Sequence, residues 1–174
     1  MVQYNSIEKS LKLIDLKVYN QNTLKDIKSY NPFNLLEISK SREKYFSKIC
    51  KNIQTVNGIM ITVDYGYLDK PANFTLQSVY NNKHSNILDN IGYQDITSLV
   101  DFKSLISIAK SYNLKINIFT TQRNFLIQNG INERANKILK NCKKHQKEII
   151  ISGLNRIIDK NNMGSIFKVL VISK

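Results

Sequence analysis

The stretch that decides the fold is Gly58-Ile-Met-Ile-Thr-Val-Asp-Tyr-Gly-Tyr67, an apolar run that gives way to an acid, an aromatic residue and a glycine. A short apolar run with β-branched residues and a glycine at each end predicts a strand buried on both faces. Such strands are typical of parallel sheets covered by helices, where ligands bind beyond the carboxyl ends of the strands. The run therefore predicts an α/β protein with Asp64, Tyr65 and Gly66 at a ligand site. The alternative is a buried strand closed by an ordinary Asp-x-Gly turn.

The flanking segments alternate between helical and strand-like patterns. After Ser39 or Ser41, either of which can cap a helix, apolar residues recur at steps of three and four up to a left-handed cap at Asn57-Gly58. The predicted buried face of this helix comprises Tyr45, Phe46, Ile49, Cys50, Ile53 and Val56. Further strands are predicted over residues 11–19, 33–38, 115–120 and 166–172, and further helices over residues 102–112, 121–130, 132–141 and 145–158. A long irregular region is expected between residues 67 and 101, and such loops are functional or poorly ordered.

The charge balance raises the question of a nucleic-acid partner. The 174 residues carry a formal net charge of +13, with a pI near 9.7. Most of the excess is lysine spread along the chain, and the one dense cluster, residues 140–147, has no interleaved aromatic side chain for stacking on bases. Heavy use of Asn, Ile, Lys and Tyr indicates AT-rich coding. The composition therefore favours genomic bias, with anion binding as the alternative.

Length and cysteine usage indicate a cytoplasmic globular protein. The chain is long enough for one domain with a core, and no run reaches the roughly 18 to 20 apolar residues that cross a bilayer. Residues 1–17 lack the apolar block of a secretory signal. Cys50 and Cys142 have no partner set at metal-ligand spacing, so we expect no metal, no membrane partner and two packed thiols in a reducing compartment.

Several kinds of catalytic motif are missing from the sequence. The six glycines lie too far apart to form a dinucleotide fingerprint or a P-loop, and there is no Gly-x-Ser-x-Gly elbow. His84 and His145 stand in polar surroundings, which is typical of surface residues rather than catalytic bases. The carboxylates that remain as acid–base candidates are Glu37, Asp64, Asp95 and Asp101. Each of them, taken alone, is better explained as a turn or cap residue.

Four segments in order carry a family resemblance. They are GIMITVDYGY (58–67), DITSLVDF (95–102), TQRNFLIQNG (121–130) and MGSIFKVLVI (163–172). Together they resemble the C-terminal half of the MidA-like S-adenosylmethionine-dependent methyltransferases, whose mitochondrial members methylate an arginine of a respiratory complex I subunit during its assembly. The sequence departs from the family pattern at Tyr80, where an arginine is usual, at Leu99, where a histidine is usual, and near Lys160, where a proline is usual.

The resemblance implies part of a class I, Rossmann-like sheet. Residues 58–64 would be its fifth strand, residues 115–120 its sixth, and residues 167–172 an antiparallel seventh strand inserted between them. The family's glycine-rich cofactor loop, ribose-binding acid and first four strands precede the region that this chain matches. We therefore expect residues 1–174 to be a single partial domain with an open, apolar sheet edge, completed by a separately encoded N-terminal half.

The resemblance also implies a function. The intact enzyme would transfer a methyl group from S-adenosylmethionine to a protein arginine, with Asp64 and Asp101 as the substrate-facing carboxylates. This chain alone would be inactive and would not bind the cofactor. One alternative is a non-enzymatic remnant or binding module. Another, without a supporting motif, is a lysine-rich nucleic-acid-binding protein.

Overall fold

The computed structural model describes residues 2–8, 10–13, 37–69 and 73–174. Contacts group the chain into two compact units. The small unit comprises Met1–Glu37 and Lys70–Ser98, and the large unit comprises Ile38–Asp69 and Leu99–Lys174. The single partial domain expected over residues 1–174 stays a prediction.

The described residues form short strands in the small unit, and helices with both long and short strands in the large unit. In chain order the strands are β1 (Val2–Asn5), β2 (Ser10–Leu13), β3 (Ile59–Tyr67), β4 (Gln77–Tyr80), β5 (Lys83–Ser85), β6 (Asp95–Thr97), β7 (Val100–Asp101), β8 (Lys115–Thr121) and β9 (Phe167–Ser173). The helices are α1 (Lys40–Val56), α2 (Phe102–Ser111), α3 (Gln122–Gln128), α4 (Ile131–Asn141), α5 (Lys144–Ile158) and α6 (Met163–Ile166). None of the helices in the described part of the chain combines the length and apolar character needed to span a membrane.

The large unit is built on a mixed four-stranded sheet in the order β7-β3-β9-β8. Strand β9 pairs antiparallel with β3 along Ile59–Tyr65 and antiparallel with β8 along its other side. The short strand β7 runs parallel to β3 and pairs only with Gly66 and Tyr67. The α/β class and the insertion of an antiparallel last strand, both expected from the sequence, are confirmed.

The core of the large unit lies between α1, α2 and one face of this sheet. Its buried members are Phe46, Cys50, Ile53, Val100, Phe102, Leu105, Ala109, Leu114, Leu170 and Ile172. The first three lie on α1 at steps of three and four, so the helical period of the sequence predicts this contact correctly. Each large apolar side chain buried in this way contributes roughly 1.5–3 kcal/mol.

Helix α1 differs from its prediction at two apolar positions. Tyr45 is 70% exposed and Val56 is 72% exposed, although both were assigned to the buried face. The fully buried side chains of α1 are Phe46, Cys50 and Ile53. The buried face of the helix is therefore narrower than its set of apolar residues. Ser39 holds the N-cap position, and its side chain makes no capping hydrogen bond. The helix ends as predicted, with Asn57 in the left-handed region at φ 56° and ψ 46°.

Strand β3 is not buried on both faces, as the sequence predicted. Met60 packs against the core under the two helices, whereas the alternate residues point to the opposite face. Those alternate residues, Ile59, Ile61, Val63 and Tyr65, are 71%, 57%, 46% and 43% exposed. An apolar run predicts two covered faces only when something packs on each of them, and in the described part of the chain only one face of β3 is well covered.

The small unit contains more regular structure than the sequence predicted. Strands β1 and β2 pair antiparallel, and β4 pairs antiparallel with both β5 and β6. Residues 73–101, the described part of the region predicted to be an irregular loop, therefore form regular strand pairs. The β4–β5 hairpin turns at Asn81 and Asn82, both at positive φ (48° and 61°), which is the requirement of a two-residue type I′ turn.

Two strands predicted near the N-terminus fall partly outside the described residues. Of the strand predicted over residues 11–19, residues 11–13 lie in β2, and the remainder lies outside the described part. Of the strand predicted over residues 33–38, residues 33–36 lie outside it, and residues 37 and 38 are not in a strand.

Candidate functional site

The candidate site lies where β3 and β7 approach their carboxyl ends. Asp64 is exposed, and its carboxylate accepts a hydrogen bond of 2.8 Å from the backbone N–H of Tyr65. The strand does not stop there in an Asp-x-Gly turn: it continues through Gly66 to Tyr67. Tyr65 points to the opposite face of the sheet, where its ring centroid lies 3.9 Å from that of Phe167. Asp64 is therefore the functional candidate on the helix-covered face.

A cavity of about 350 Å³ adjoins Asp64 on that face. Its lining consists of Arg42, Tyr45, Phe46 and Ile49 from α1, Thr62 and Asp64 from β3, and Val100 and Leu105 from β7 and α2. The Oγ1 atom of Thr62 is buried and has no hydrogen-bond partner among the described residues. Asp64 is thus the carboxylate of a largely apolar cavity. The sequence argument missed Thr62, although its spacing of two from Asp64 in a strand would have placed both on one face.

Asp101 has a defined local role at the end of β7. Its Oδ1 accepts a hydrogen bond of 3.1 Å from the backbone N–H of Ser104, so it is the N-cap of α2. The hydroxyl of Ser104 donates to Glu43 Oε1 at 3.1 Å and so links α2 to α1. Asp101 is also paired with Tyr67 in the parallel ladder. The prediction that Asp101 could be a helix-cap residue is therefore confirmed. A contact between Asp101 and a substrate would come on top of this capping role.

The structure does not place Asp64 and Asp101 side by side. Asp101 is level with Tyr67, three residues beyond Asp64 along β3, which corresponds to about 10 Å at roughly 3.3 Å per residue. The cross-strand neighbour of Asp64 is Lys168 of β9. The ammonium of Lys168 donates to the Ser165 carbonyl, and burial lowers the pKa of Lys168. One guanidinium therefore cannot bind both carboxylates side by side, and a ligand that contacts both would have to span β3 and β7.

The remaining candidates belong to other parts of the fold. Glu37, in the small unit, accepts hydrogen bonds from the backbone N–H and the hydroxyl of Thr75, at 2.9 and 2.5 Å. Asp95 and His84 are exposed on β6 and β5, and His145 is exposed on α5. Within the described residues, no group of three His, Cys, Asp or Glu side chains could hold a metal ion.

The glycines do not form a cofactor cradle. A nucleotide-type cofactor needs glycines in a strand–loop–helix turn, so that backbone amides can approach it. Gly66 lies within a strand against Phe102, and Gly164 packs against the carbonyls of Ile158 and Asp159. None of the six glycines has another within one turn of it in the sequence. The glycines, all of which lie in the described part of the chain, therefore do not build a loop that fits S-adenosylmethionine.

A mixed sheet with an inserted antiparallel last strand, and a carboxylate toward the carboxyl end of β3, are features of an α/β protein. Residues 3–120 match the family described as "Putative S-adenosyl-L-methionine-dependent methyltransferase". This match covers more than half of the chain, which therefore belongs to that family, as its resemblance to the MidA-like enzymes predicted.

Individual relatives agree with this assignment. Over 125 residues the chain is 32% identical to the protein named "Protein arginine methyltransferase NDUFAF7 homolog, mitochondrial" from Caenorhabditis elegans, an alignment that covers 70% of this chain and 28% of the nematode protein. Two crystal structures of COG1565 superfamily proteins from Burkholderia thailandensis share the fold. One superimposes with a TM-score of 0.86 at 18% identity, and the other, solved with bound S-adenosyl-homocysteine, with a TM-score of 0.80 at 17% identity.

The chain spans about half the length of these solved relatives. The superpositions cover 99% of this chain but only 48% and 46% of the two Burkholderia chains. At these identities the superpositions show the shared fold.

Proposed function

We propose that this chain is the substrate-facing part of an S-adenosylmethionine-dependent protein arginine methyltransferase. The observation that carries the proposal is the family match over residues 3–120, together with a relative whose name specifies protein arginine methylation. The chemistry of the cavity beside β3 is compatible with an arginine side chain. Apolar walls suit its methylene stem, and a carboxylate at the rim suits its guanidinium.

Asp64 is the residue proposed to bind the guanidinium. It is exposed, and within the described residues its carboxylate accepts one hydrogen bond, from the adjacent Tyr65 N–H. A carboxylate has lone pairs for about four hydrogen bonds, so most of its accepting capacity remains for a ligand. Paired N–H···O bonds between a guanidinium and a carboxylate fix the orientation of the plane as well as its position.

Asp101 is proposed as the second substrate-facing carboxylate, with one oxygen already engaged. Its Oδ1 caps α2, and Oδ2 accepts no hydrogen bond from the described residues. Because α2 begins at the end of a strand parallel to β3, Asp101 lies on the side of the sheet edge where α/β proteins bind ligands. It would contact a different part of the peptide from Asp64, since the two differ in position along the strands.

In the solved relatives, about half of the chain lies outside the part that overlays this one. The cofactor is proposed to bind residues that correspond to that other half. The isolated chain is therefore proposed to be a partial domain that neither binds S-adenosylmethionine nor transfers a methyl group, with cytoplasmic localisation. Isothermal titration of the purified chain with S-adenosylmethionine tests the binding claim. No heat of binding is expected up to millimolar ligand, and micromolar affinity would overturn it.

Activity is tested with the tagged chain isolated together with whatever it binds in its own organism. The preparation is incubated with radiolabelled S-adenosylmethionine and the organism's proteins, and methylarginine is identified by mass spectrometry. Asp64→Asn should lower kcat/KM at least about tenfold, because it removes one charge-assisted pair worth roughly 1.5–3 kcal/mol. Glu148→Gln, an exposed change on α5, is the matched control and should leave the rate unchanged.

Labelled methylarginine that depends on Asp64 supports the proposal. Methylation of other residues, or equal rates for Asp64→Asn and Glu148→Gln, contradicts it. Complete absence of transfer would instead favour the alternative of a non-enzymatic binding module.

A further inference from the structure

The N-terminal half of α5 is exposed, although the helix is rich in apolar residues. Residues 143–149 are all exposed, and none of the fifteen residues of α5 is fully buried. Its C-terminal end is held by α3, whose Gln122 Nε2 donates to the carbonyl of Ile157 at 2.9 Å. Six of the fifteen residues are isoleucine or leucine, and helices in proteins are stabilised mainly by burying an apolar face. The described part of the chain therefore leaves much of the apolar surface of α5 uncovered.

The positive charge of the chain is concentrated in the large unit. The small unit contains seven cationic and six acidic residues, so +12 of the formal net charge of +13 belongs to the large unit. Residues 134–158 alone hold seven cations and a single acid, Glu148. AT-rich coding acts along a whole gene and raises lysine in both units alike. Anion binding, the alternative to genomic bias, is therefore the better explanation for this segment.

Exposed cations and apolar side chains occur together on α4 and α5. On α5, Lys144, Lys147 and Ile151 lie within about 60° of arc, at about 100° per residue, and so share one face. On α4, Ile138 follows Arg134 by four residues, which places these two side chains on one face as well. The exposed cations of the two helices and of the turn between them, called the basic surface below, are Arg134, Lys137, Lys140, Lys143, Lys144 and Lys147.

We propose that the basic surface, together with Ile138, Ile149 and Ile151, binds the anionic surface of a lipid bilayer. The three isoleucines are 43%, 70% and 45% exposed, so their side chains are available to enter the boundary between the headgroups and the acyl chains. The cations pair with anionic headgroups, and each contributes roughly a fivefold gain in affinity. Surface binding of this kind requires no spanning helix, so the lack of a spanning segment does not exclude it. The inference is independent of the proposed methyl transfer.

Two other occupants match this surface less well. A nucleic acid is bound through its phosphates and by stacking of its bases, and residues 131–158 contain no Phe, Tyr or Trp for stacking. Phosphate contacts also leave the exposed isoleucines without a role. A second copy of the chain, with its own formal net charge of +13, is repelled on approach. Cations beside exposed apolar side chains match an anionic lipid surface best.

The test measures binding of the purified full chain to vesicles by sedimentation. One set of vesicles contains equal parts of phosphatidylcholine and phosphatidylserine, and the other contains phosphatidylcholine alone. The basic-surface variant is Lys140→Gln/Lys144→Gln/Lys147→Gln. Its matched control, Lys44→Gln/Lys48→Gln/Lys51→Gln, removes the same number of charges from exposed positions on α1. A third variant, Ile149→Ser/Ile151→Ser, removes apolar side chains without changing charge, and circular dichroism checks that all three fold.

The chain should bind the vesicles with phosphatidylserine and not those without it, and salt raised from about 0.1 to about 1 M should weaken binding through screening. The basic-surface variant should lose roughly 100-fold in affinity and the α1 control less than about threefold. The isoleucine variant should lose about tenfold. Failure to bind anionic vesicles, equal losses for the two lysine variants, or an unchanged isoleucine variant would overturn the proposal. Tighter binding to duplex DNA than to vesicles would also overturn it and assign the basic surface to nucleic acid.

Discussion

Gly66→Ala tests how closely β3 packs against the helix layer. An ideal Cβ at Gly66 would lie 2.5 Å from Phe102 Cε2, 2.6 Å from Phe102 Cδ2 and 2.5 Å from the carbonyl oxygen of Val100. Contacts below 3.0 Å are essentially never seen for real Cβ atoms, so a neighbour must move. The substitution therefore forces either the aromatic ring or the backbone of β7 out of place.

Neither neighbour can move without loss. Phe102 is 0% exposed, and its ring centroid lies 5.5 Å from that of Phe119. Val100 is the ladder partner of Gly66, so shifting its carbonyl disturbs the short β3–β7 pairing. Overpacking a filled core costs about 1–3 kcal/mol, and two rigid neighbours are affected at once. We expect Gly66→Ala to lower the free energy of unfolding by about 3 kcal/mol.

Urea unfolding followed by circular dichroism measures this loss. With an m-value of about 2 kcal/mol per molar urea, the midpoint should fall by about 1.5 M. Gly153→Ala is the control with the opposite expectation. A Cβ there meets nothing within 4 Å, and alanine is favoured over glycine inside a helix by roughly 0.5–1 kcal/mol. A Gly66→Ala midpoint equal to that of the wild type would refute the close packing of β3 on Phe102.

Three further substitutions or reactions test separate features. Thr62→Val should raise the free energy of unfolding of the chain by about 1 kcal/mol, because it removes a buried hydroxyl without a partner, and a lower urea midpoint would contradict this. Asp101→Ala should lower it by about 1 kcal/mol through loss of the bond to Ser104 N–H, whereas Asp101→Asn retains a cap and should change thermal stability little. Cys50 is 0% exposed, and burial raises the pKa of its thiol. A thiol reagent at pH 8 should therefore modify Cys142 first and Cys50 only when the protein unfolds. Equal modification rates for the two cysteines in the native protein would contradict the burial of Cys50.

The same pKa shift fixes the sign of one pH effect. Burial raises the pKa of the Cys50 thiol above its ordinary value of 9.0, which applies in the unfolded chain. Its contribution to stability is therefore fully present below pH 9.0 and is lost as the pH rises through the higher folded pKa. The urea midpoint of the wild type should therefore fall further between pH 8 and pH 10.5 than that of Cys50→Ala, which lacks this thiol, and equal falls for the two would contradict the burial of Cys50.

Local sequence signals predicted those parts of the fold that depend on nearby residues. The helical period of α1 located Phe46, Cys50 and Ile53 in the core, and Asn57 ended the helix as expected. The hairpin at Asn81-Asn82 was missed although its signal was present, because two asparagines at positive φ are a known type I′ pair. The inserted antiparallel strand β9 followed from the family resemblance, since no local pattern specifies which strands become neighbours.

The sequence predicted where Asp64 lies along its strand, but not the cavity beside it or the hydrogen bonds of the candidate carboxylates. Asp64 does lie toward the carboxyl end of a strand in a helix-covered sheet, as the apolar run indicated. The carboxylate of Asp101 is committed to capping α2, which depends on where that helix begins. The cavity lined by Thr62 and Asp64 involves α1, β3, β7 and α2 together, so its existence depends on packing between segments far apart in the chain.

By itself the sequence determined an α/β chain of the methyltransferase family, the C-terminal end of α1 and an apolar strand running to Asp64. The helix end and the strand arise from residue spacing and backbone preference, which act over a few residues, whereas the family came from the resemblance of four ordered segments. Only the tertiary structure decided that one face of β3 is covered and the other exposed, and that Gly66 is required by the ring of Phe102 rather than by a turn. Burial and close approach depend on which distant segments pack together, and a strand's own residues do not specify that.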